Sequence, residues 1–288
     1  MTIKTLNGKK CLITGAASGI GRAVALASGR EGAELFLTDV NAAGLEQTVR
    51  DVRAAGGSVA MASAFDIADA NAVEAFAAET RRLHGSMDVL MNVAGIAIWG
   101  AIESLPLAQW QRVININLMG PVHVMRAFLG PMIEARRGGH LVNVSSAAGL
   151  FGLPWHAAYS ASKFGLRGIS EVLRFDLARH RIGVSLVCPG AVNTGLVQTV
   201  QVDGIDMNHP EALKLRKHFQ GHAQSPERAA AAILRGIKRN RYMVYTSWDI
   251  RIGFWFQRKF AWPYEWVMRI LNAQLYKISR RARLGGPK

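Results

Sequence analysis

Short, nearly continuous apolar runs alternate along the chain with longer segments whose apolar residues recur every three or four positions. "KCLITG", "ELFLTD", "SVAMASAFD", "MDVLMNVAG", "GHLVNVSS" and "IGVSLVCPG" read as six strands, with "RYMVYT" a weaker seventh. Between them, "GIGRAVALASGREG", "AAGLEQTVRDVRAAGG", "ANAVEAFAAETRRLHG" and the long "AAYSASKFGLRGISEVLRFDLARH" read as helices, and further helices flank "NINLMGPV". Strands separated by helices need crossover connections, and these give a parallel sheet. Within the strands polar residues do not alternate with apolar ones, as a sheet covered on both faces requires. The pattern predicts a doubly wound α/β domain with a seven-stranded parallel sheet over residues 1–247. Residues 248–288 form a helical C-terminal extension.

Composition adds little to that picture, except through charge. A chain of 288 residues can bury a sizeable core, and 50% hydrophobic with 19% charged residues is ordinary for a folded soluble protein. Cys11 and Cys188 each sit inside an apolar strand run, which predicts free buried thiols in a reducing compartment. The N-terminus leads quickly to a Gly-rich turn instead of an apolar leader, and the longest uncharged run, from Gly183, is broken by Pro, Gly and Asn. A cytoplasmic location is expected. The charge is uneven: residues 1–208 hold 18 Lys+Arg against 16 Asp+Glu, and residues 209–288 hold 17 against 4. The high basicity thus belongs to the last quarter, whose partner could be an anionic membrane surface, an acidic carrier or a phosphate-bearing substrate.

Two constellations carry chemistry. "TGAASGIG", Thr14 to Gly21, follows the first strand and opens the first helix, so Gly15, Gly19 and Gly21 allow a tight turn and close approach of a pyrophosphate to backbone N–H groups. Asp39 ends the second strand, 24 positions after Gly15, where a carboxylate can accept both ribose hydroxyls of an adenosine and repel a 2′-phosphate. NAD is therefore expected over NADP. Alternatively, Asp39 only caps the next helix. In "YSASK", Tyr159 and Lys163 stand one helical turn apart, and an ammonium that close should lower the phenol's pKa and make it a candidate acid/base. Alone, such a pair is usually a solvated one. His218 and His222, four apart, could form half a metal site, but no third ligand stands at a recognisable spacing, so no metal is expected.

These residues, with "FD" at 65–66, "NVAG" at 92–95, "NINL" at 115–118, "VSS" at 144–146 and "PGAVNT" at 189–194, resemble the short-chain dehydrogenase/reductase family in order and spacing over roughly residues 6–246. The resemblance implies a Rossmann fold, an NAD- or NADP-dependent oxidoreductase and a homo-oligomer, dimeric or tetrameric. Carried over by position, Tyr159 is the acid/base, and Lys163 its pKa-lowering partner and a hold on the nicotinamide ribose. Ser146 hydrogen-bonds the substrate oxygen, and Asn117 holds a water that links Lys163 to solvent. For the cofactor the resemblance implies Gly15, Ser18, Gly19, Ile20 and Gly21 at the turn, and Asp39 at the ribose. Asp66 and the backbone of Ile67 are implied at the adenine. Asn92, Ala94 and Gly95 line the cofactor, and Pro189 and Gly190 lead to Val192 and Thr194 at the carboxamide. Val93 departs from the family, which more often has Asn there in a structural role. Ser18 favours NAD, since NADP-using relatives often carry a basic residue at that place; Arg22 is a basic side chain three positions past Gly19.

The segment from about Leu196 to Gln224 is expected to close over the substrate. Ile96, Ile98, Trp99, Leu150, Phe151, Leu153, Pro154, Trp155 and His156 are candidate pocket walls, which suggests a bulky hydrophobic alcohol or ketone, lipid-like or steroidal. In the extension, Trp266, Val267, Ile270, Leu271, Gln274, Leu275 and Ile278 fall at helical spacing after Pro263, with Arg269, Lys277, Arg280, Arg281 and Arg283 around them. Such a helix suits an anionic lipid surface, which would make the protein peripheral to a membrane, or it packs on a neighbouring subunit or on its own sheet. Gripping an acyl carrier or the phosphates of CoA is a third use. Three functions stay open: an NAD-dependent dehydrogenase or reductase of hydrophobic secondary alcohols and ketones, an NADPH-dependent 3-oxoacyl thioester reductase, or a nucleotide-binding, membrane-associated protein without turnover. Nucleic acid is not expected, because no recognition module accompanies the charge.

Overall fold

The computed structural model describes residues 3–194, 201–203, 205–206, 209–211, 213–214, 221 and 223–281. Its strands are β1 (Lys10–Thr14), β2 (Glu34–Asp39), β3 (Ser58–Ala64), β4 (Val89–Asn92), β5 (Ile98–Trp99), β6 (Gly139–Val144), β7 (Ile182–Cys188), β8 (Gln201–Val202) and β9 (Met243–Tyr245). Seven of them form one sheet in the order β3-β2-β1-β4-β6-β7-β9, and every pairing in it is parallel. The chain therefore winds outward from β1 through β2 to β3, returns to β4 beside β1, and winds the other way. A crevice opens where the direction reverses, at the carboxyl ends of β1 and β4.

The helices are α1 (Gly19–Arg30), α2 (Ala42–Ala54), α3 (Ala70–His84), α4 (Leu107–Ile114), α5 (Gly120–Glu134), α6 (Ala157–Asp176), α7 (Pro226–Lys238), α8 (Trp248–Lys259) and α9 (Ala261–Arg281). Strand period sends neighbouring residues to opposite faces. Cys11, Ile13, Leu35, Leu37, Val89 and Met91 enter one core with residues of α1, α2 and α7. Leu12, Phe36 and Leu90 enter a second core with α3, α5 and α6. Both faces need apolar side chains, which is why the strands read as continuous runs. Cys11 and Cys188 are free, buried thiols, and burial raises the pKa of both.

Three features add to the predicted scheme. A wide π-helical turn at Asn115–Met119 joins α4 to α5. β5 and β8 pair as a separate two-stranded sheet. Helix α9 begins at Ala261, so Pro263 lies inside its first turn, where its missing N–H removes no helical bond. His218, His222 and Arg283 lie outside the described residues, as does most of the 196–224 segment. Among the described residues no cluster of His, Cys, Asp and Glu could hold a metal ion, and no helix is long and apolar enough to cross a membrane.

Candidate active site

The loops leaving β1, β4, β6 and β7 converge on one cavity of about 1960 Å³. That exceeds the roughly 300–1,000 Å³ that suits a single drug-sized ligand, leaving room for a dinucleotide and a second molecule together.

At the β1 end the glycines act by absence of side chains. Gly15 has φ +70°, and a Cβ at Gly21 would stand 1.9 Å from the Gly15 carbonyl oxygen, so helix and turn approach as closely as backbone allows. Ser18 occupies the N-cap position of α1 but makes no capping hydrogen bond, which leaves first-turn N–H groups free at the cavity mouth. Thr14 Oγ1 accepts from the N–H groups of Val93 and Ala94 at 3.0 and 3.1 Å, tying the β1 turn to the loop after β4. Asp39 Oδ2 accepts from Ala17 N–H and Oδ1 from Asn41 N–H, both at 2.9 Å. The carboxylate is thus fixed in the cavity wall with one lone pair free on each oxygen. It does not cap α2; Asn41 does that, through Gly44 N–H. Arg22 is committed to Asp51 at 2.7 Å. Gly15, Ser18, Gly19, Ile20, Gly21, Asp66, Ile67, Ala94 and Gly95 all line this part of the cavity. Asn92 does not: it is buried beneath, donating from Nδ2 to Asn143 Oδ1 at 2.9 Å and so joining β4 to β6. The residues present fit a nicotinamide dinucleotide: a glycine cradle that a Cβ would fill, an uncapped helix N-terminus and a fixed carboxylate.

Ser146, Tyr159 and Lys163 line the cavity together, and Pro189, Gly190, Val192 and Thr194 line it too. Ser146 starts a short 3₁₀ turn and its Oγ accepts from Ala148 N–H at 3.1 Å. Lys163 Nζ lies 5.8 Å from the centre of the Tyr159 ring and donates to Val144 O at 3.1 Å. The sequence predicts a lowered Tyr159 pKa, whereas the structure shows it raised, because burial disfavours the phenolate and only the Ser146 hydroxyl opposes it. Burial also pulls Lys163 down to about 8. Desolvation outweighs the tyrosine–lysine pairing in a cleft this enclosed.

Asn117 lies behind these groups, fully buried. Its Oδ1 accepts from Ile96 N–H at 2.8 Å, and its Nδ2 donates to Ile96 O at 2.9 Å and to Ser162 Oγ at 3.3 Å. The side chain thereby pins the π turn against the loop after β4. Two positioning features carry no signal in the sequence. Ser145 Oγ donates to Lys163 O at 3.0 Å, and a Cβ on Gly149 would stand 2.2 Å from that same Oγ.

The outer half of the cavity is apolar. Ile96, Trp99, Phe151, Leu153, Pro154, Trp155 and His156 line it, while Ile98 and Leu150 turn into the core. His156 stacks against Trp99 with ring centres 4.2 Å apart, donates from Nδ1 to Pro154 O at 2.6 Å, and is held neutral by burial, its pKa lowered to about 4. Trp155 adopts φ +65°, a conformation rare for a bulky residue, and its ring meets Tyr276 of α9 edge-on at 5.3 Å. Val202 and Ile205, from the predicted closing segment, also face the cavity. Sequence reading treats residues 248–288 as an appendage, yet Phe256, Phe260, Tyr264, Val267 and Leu271 form its far wall. Tyr264 Oη fixes that wall, accepting from Gly152 N–H at 2.9 Å and donating to Gly152 O at 3.2 Å. Length beyond the last strand was the available signal; where the helices fold back is a tertiary matter.

With this arrangement in view, the model of the short chain dehydrogenase family matches residues 9–203. The chain is a short-chain dehydrogenase/reductase. That family comprises nicotinamide-dependent oxidoreductases. Among curated relatives, the probable oxidoreductase EphD of Mycobacterium tuberculosis is 37% identical over 233 residues, 80% of this chain and 39% of that protein. The chain thus spans about two fifths of that relative's length. The putative oxidoreductase SadH of the same species is 36% identical over 251 residues, 86% of this chain and 90% of the relative. A Burkholderia phymatum short-chain dehydrogenase/reductase solved with NAD superposes with TM-score 0.79 at 28% identity, over 88% of this chain and 94% of the other. A metagenomic short-chain oxidoreductase solved with NADP gives 0.67 at 31% identity, over 83% and 96%. Neighbours of this dehydrogenase/reductase hold either nicotinamide cofactor.

Proposed function

We propose that the protein transfers a hydride between NAD(H) and a hydrophobic secondary alcohol or its ketone. The observation that carries this reading is the cavity itself: Ser146, Tyr159 and Lys163 stand where the glycine cradle ends and the apolar outer half begins. Nicotinamide, when bound, supplies the hydride acceptor or donor. The chain's own residues manage the oxygen and its proton. Ser146 Oγ and Tyr159 Oη hold the substrate oxygen from two sides, which fixes the reacting carbon. In oxidation the alcohol's O–H proton passes to the Tyr159 phenolate oxygen as the hydride leaves the carbon bearing that oxygen; in reduction the Tyr159 phenol returns a proton to the new alkoxide oxygen. Lys163 is largely protonated below pH about 8, so at neutral pH it sets a positive charge beside the phenol. Asn117 acts through Ile96 and Ser162 as a positioning residue.

NAD over NADP is supported by the fixed carboxylate of Asp39, which would face a 2′-phosphate directly, and by Arg22, which is already paired with Asp51. The apolar outer half supports a bulky substrate.

The test follows nicotinamide absorbance with NAD⁺ or NADP⁺ and a panel of hydrophobic secondary alcohols, with acetoacetyl-CoA and NADPH as a second arm. Turnover with NAD⁺ that falls about 10²–10⁴-fold in Tyr159→Phe is expected, since a positioned acid/base contributes that much. Turnover confined to NADPH and the thioester would overturn the cofactor and substrate assignments together. Because burial raises the Tyr159 pKa, oxidation, which needs the phenolate, should accelerate as pH rises above neutrality.

A further inference from the structure

Helices α8 and α9 hold most of the large apolar side chains that the described molecule exposes. Trp248, Trp255, Trp262 and Trp266 are 76, 55, 74 and 60% exposed. Trp255, Phe256 and Phe260 form one aromatic cluster, with ring centres 5.1 to 6.3 Å apart. On α9 the residues at 262, 266, 270, 273 and 277 face outward at helical spacing, while 264, 267, 271, 274 and 278 line the cavity. Phe256, Phe260, Val267 and Leu271 are both exposed and part of the cavity wall, so the cavity's apolar lining continues onto the outer face, beside the polar Asp249 and Gln274.

The same two helices carry seven Lys or Arg against Asp249 and Glu265. Among the described residues only Arg281 of those seven is ion-paired, to Glu211. An exposed apolar face that shares its helices with cations making no ion pair among the described residues needs a cover. A second copy of this chain would bring the same net positive charge against it, so self-association through this face is opposed. A lipid bilayer interior is excluded as a path for these helices, since neither is apolar enough to cross one.

We infer that α8 and α9 seat the protein on an anionic lipid surface, lying in the headgroup region with the tryptophans inserted and the cavity mouth opening to the lipid. Tryptophan favours that boundary for its apolar body and polar N–H, and interfacial binding gains from apolar burial and from basic residues together. Delivery of an apolar alcohol or ketone from the bilayer to Tyr159 rests on the function proposed above; the docking surface does not, and its test reads no turnover.

The full-length protein is sedimented with vesicles of phosphatidylcholine alone and of phosphatidylcholine mixed with phosphatidylglycerol. Binding to the mixed vesicles, weaker in high salt, with a blue shift of tryptophan fluorescence, is expected. The combined variant Trp255→Ala, Trp262→Ala, Trp266→Ala should lower partition by about 10-fold or more, since each removed indole takes with it an inserted apolar surface. Lys259→Glu with Arg269→Glu and Lys277→Glu should abolish the preference for phosphatidylglycerol. All six positions are exposed, so unchanged thermal unfolding and cofactor binding mark the variants as folded. Protein that stays in the supernatant with both vesicles, or pellets equally with both, overturns the inference. So does partition unaltered by the tryptophan variant, or a dimer in solution that the variant dissolves, which would make the face an interface between copies.

Discussion

Helices α7 and α9 are both amphipathic and basic, yet only α7 buries its apolar face in the core. On α7, Ala229, Ala230, Ala232, Ile233, Leu234, Gly236 and Ile237 are buried; on α9, 21 residues long, Ser279 alone is buried. The difference is where the sheet ends. β9 is its last strand, and α7 packs on the face that β7 and β9 complete, while α8 still reaches the sheet, burying Phe254 with Leu186 and Cys188 of β7. Helix α9 lies beyond it, over the open cavity, with polar attachments at Tyr264–Gly152, Tyr276–Glu103 and Arg281–Glu211. Amphipathicity alone, therefore, does not say what a helix covers.

The largest effect expected from that contrast is in stability. Ile233→Ala on α7 should cost about 2–5 kcal/mol, as truncation at a fully buried site does. Ile270→Ala on α9, at an exposed site, should stay within roughly 0.5 kcal/mol. Denaturant unfolding of both variants measures the difference; equal losses would mean that α9 packs as tightly as α7.

Lys163 is buried with its pKa lowered from 10.5 to about 8. Between these values the unfolded chain binds a proton that the folded one does not, so stability rises as pH climbs from 8 to 10.5, and the buried ammonium destabilises the fold at neutral pH. Lys163→Met should raise stability at pH 7 by up to about 3 kcal/mol, the shift converted at 1.36 kcal/mol per unit, while activity is lost. A stability loss would show that the bond to Val144 O outweighs desolvation.

How much of this the sequence disclosed follows the same divide. Parallel strands, two covered faces and the turn at Gly15–Gly21 were legible, because each follows from local periodicity or from a backbone that tolerates no Cβ. Ser146, Tyr159 and Lys163 were legible as a motif, but the direction of the Tyr159 shift was not. It depends on how much water the cleft excludes, which spacing along one helix does not reveal. Asn92 reads as part of a cofactor motif and lies under the site instead, because its neighbour Asn143 on β6 offers it a buried partner. The far wall from α8 and α9 was not legible: a stripe at 264, 267, 271 and 274 looks alike whether it meets a core, a cavity or a lipid.

Acid should weaken the sheet region before the outer helices. His140, on β6, is 1% exposed. Ser185 Oγ gives its proton to Arg241 O at 2.6 Å, so His140 Nε2 must donate to it across 2.8 Å, which fixes the neutral tautomer. Burial holds its pKa at about 4 against 6.5. Below pH 6.5 the unfolded state takes up a proton that the folded state refuses, so stability falls from pH 6.5 toward 4, by about 3 kcal/mol for this group at the lower limit. His156, shifted the same way, adds in the same direction. Urea midpoints across that range check the slope, and His140→Gln should flatten it.

The smallest effect tests how α9 is held. Tyr264→Phe removes both bonds to Gly152 and leaves the ring in place. The bonds are exposed, so their net worth is about 1 kcal/mol, and global unfolding should hardly move because the sheet does not depend on them. What should change is local. Opening of α9 becomes easier by roughly the same amount, and its amide hydrogens should exchange about five times faster than in the parent protein, while those of α7 keep their rates. If amides in both helices accelerated together, α9 would open only with the whole fold, and the division between a packed helix and a docked one would fail at its most direct point.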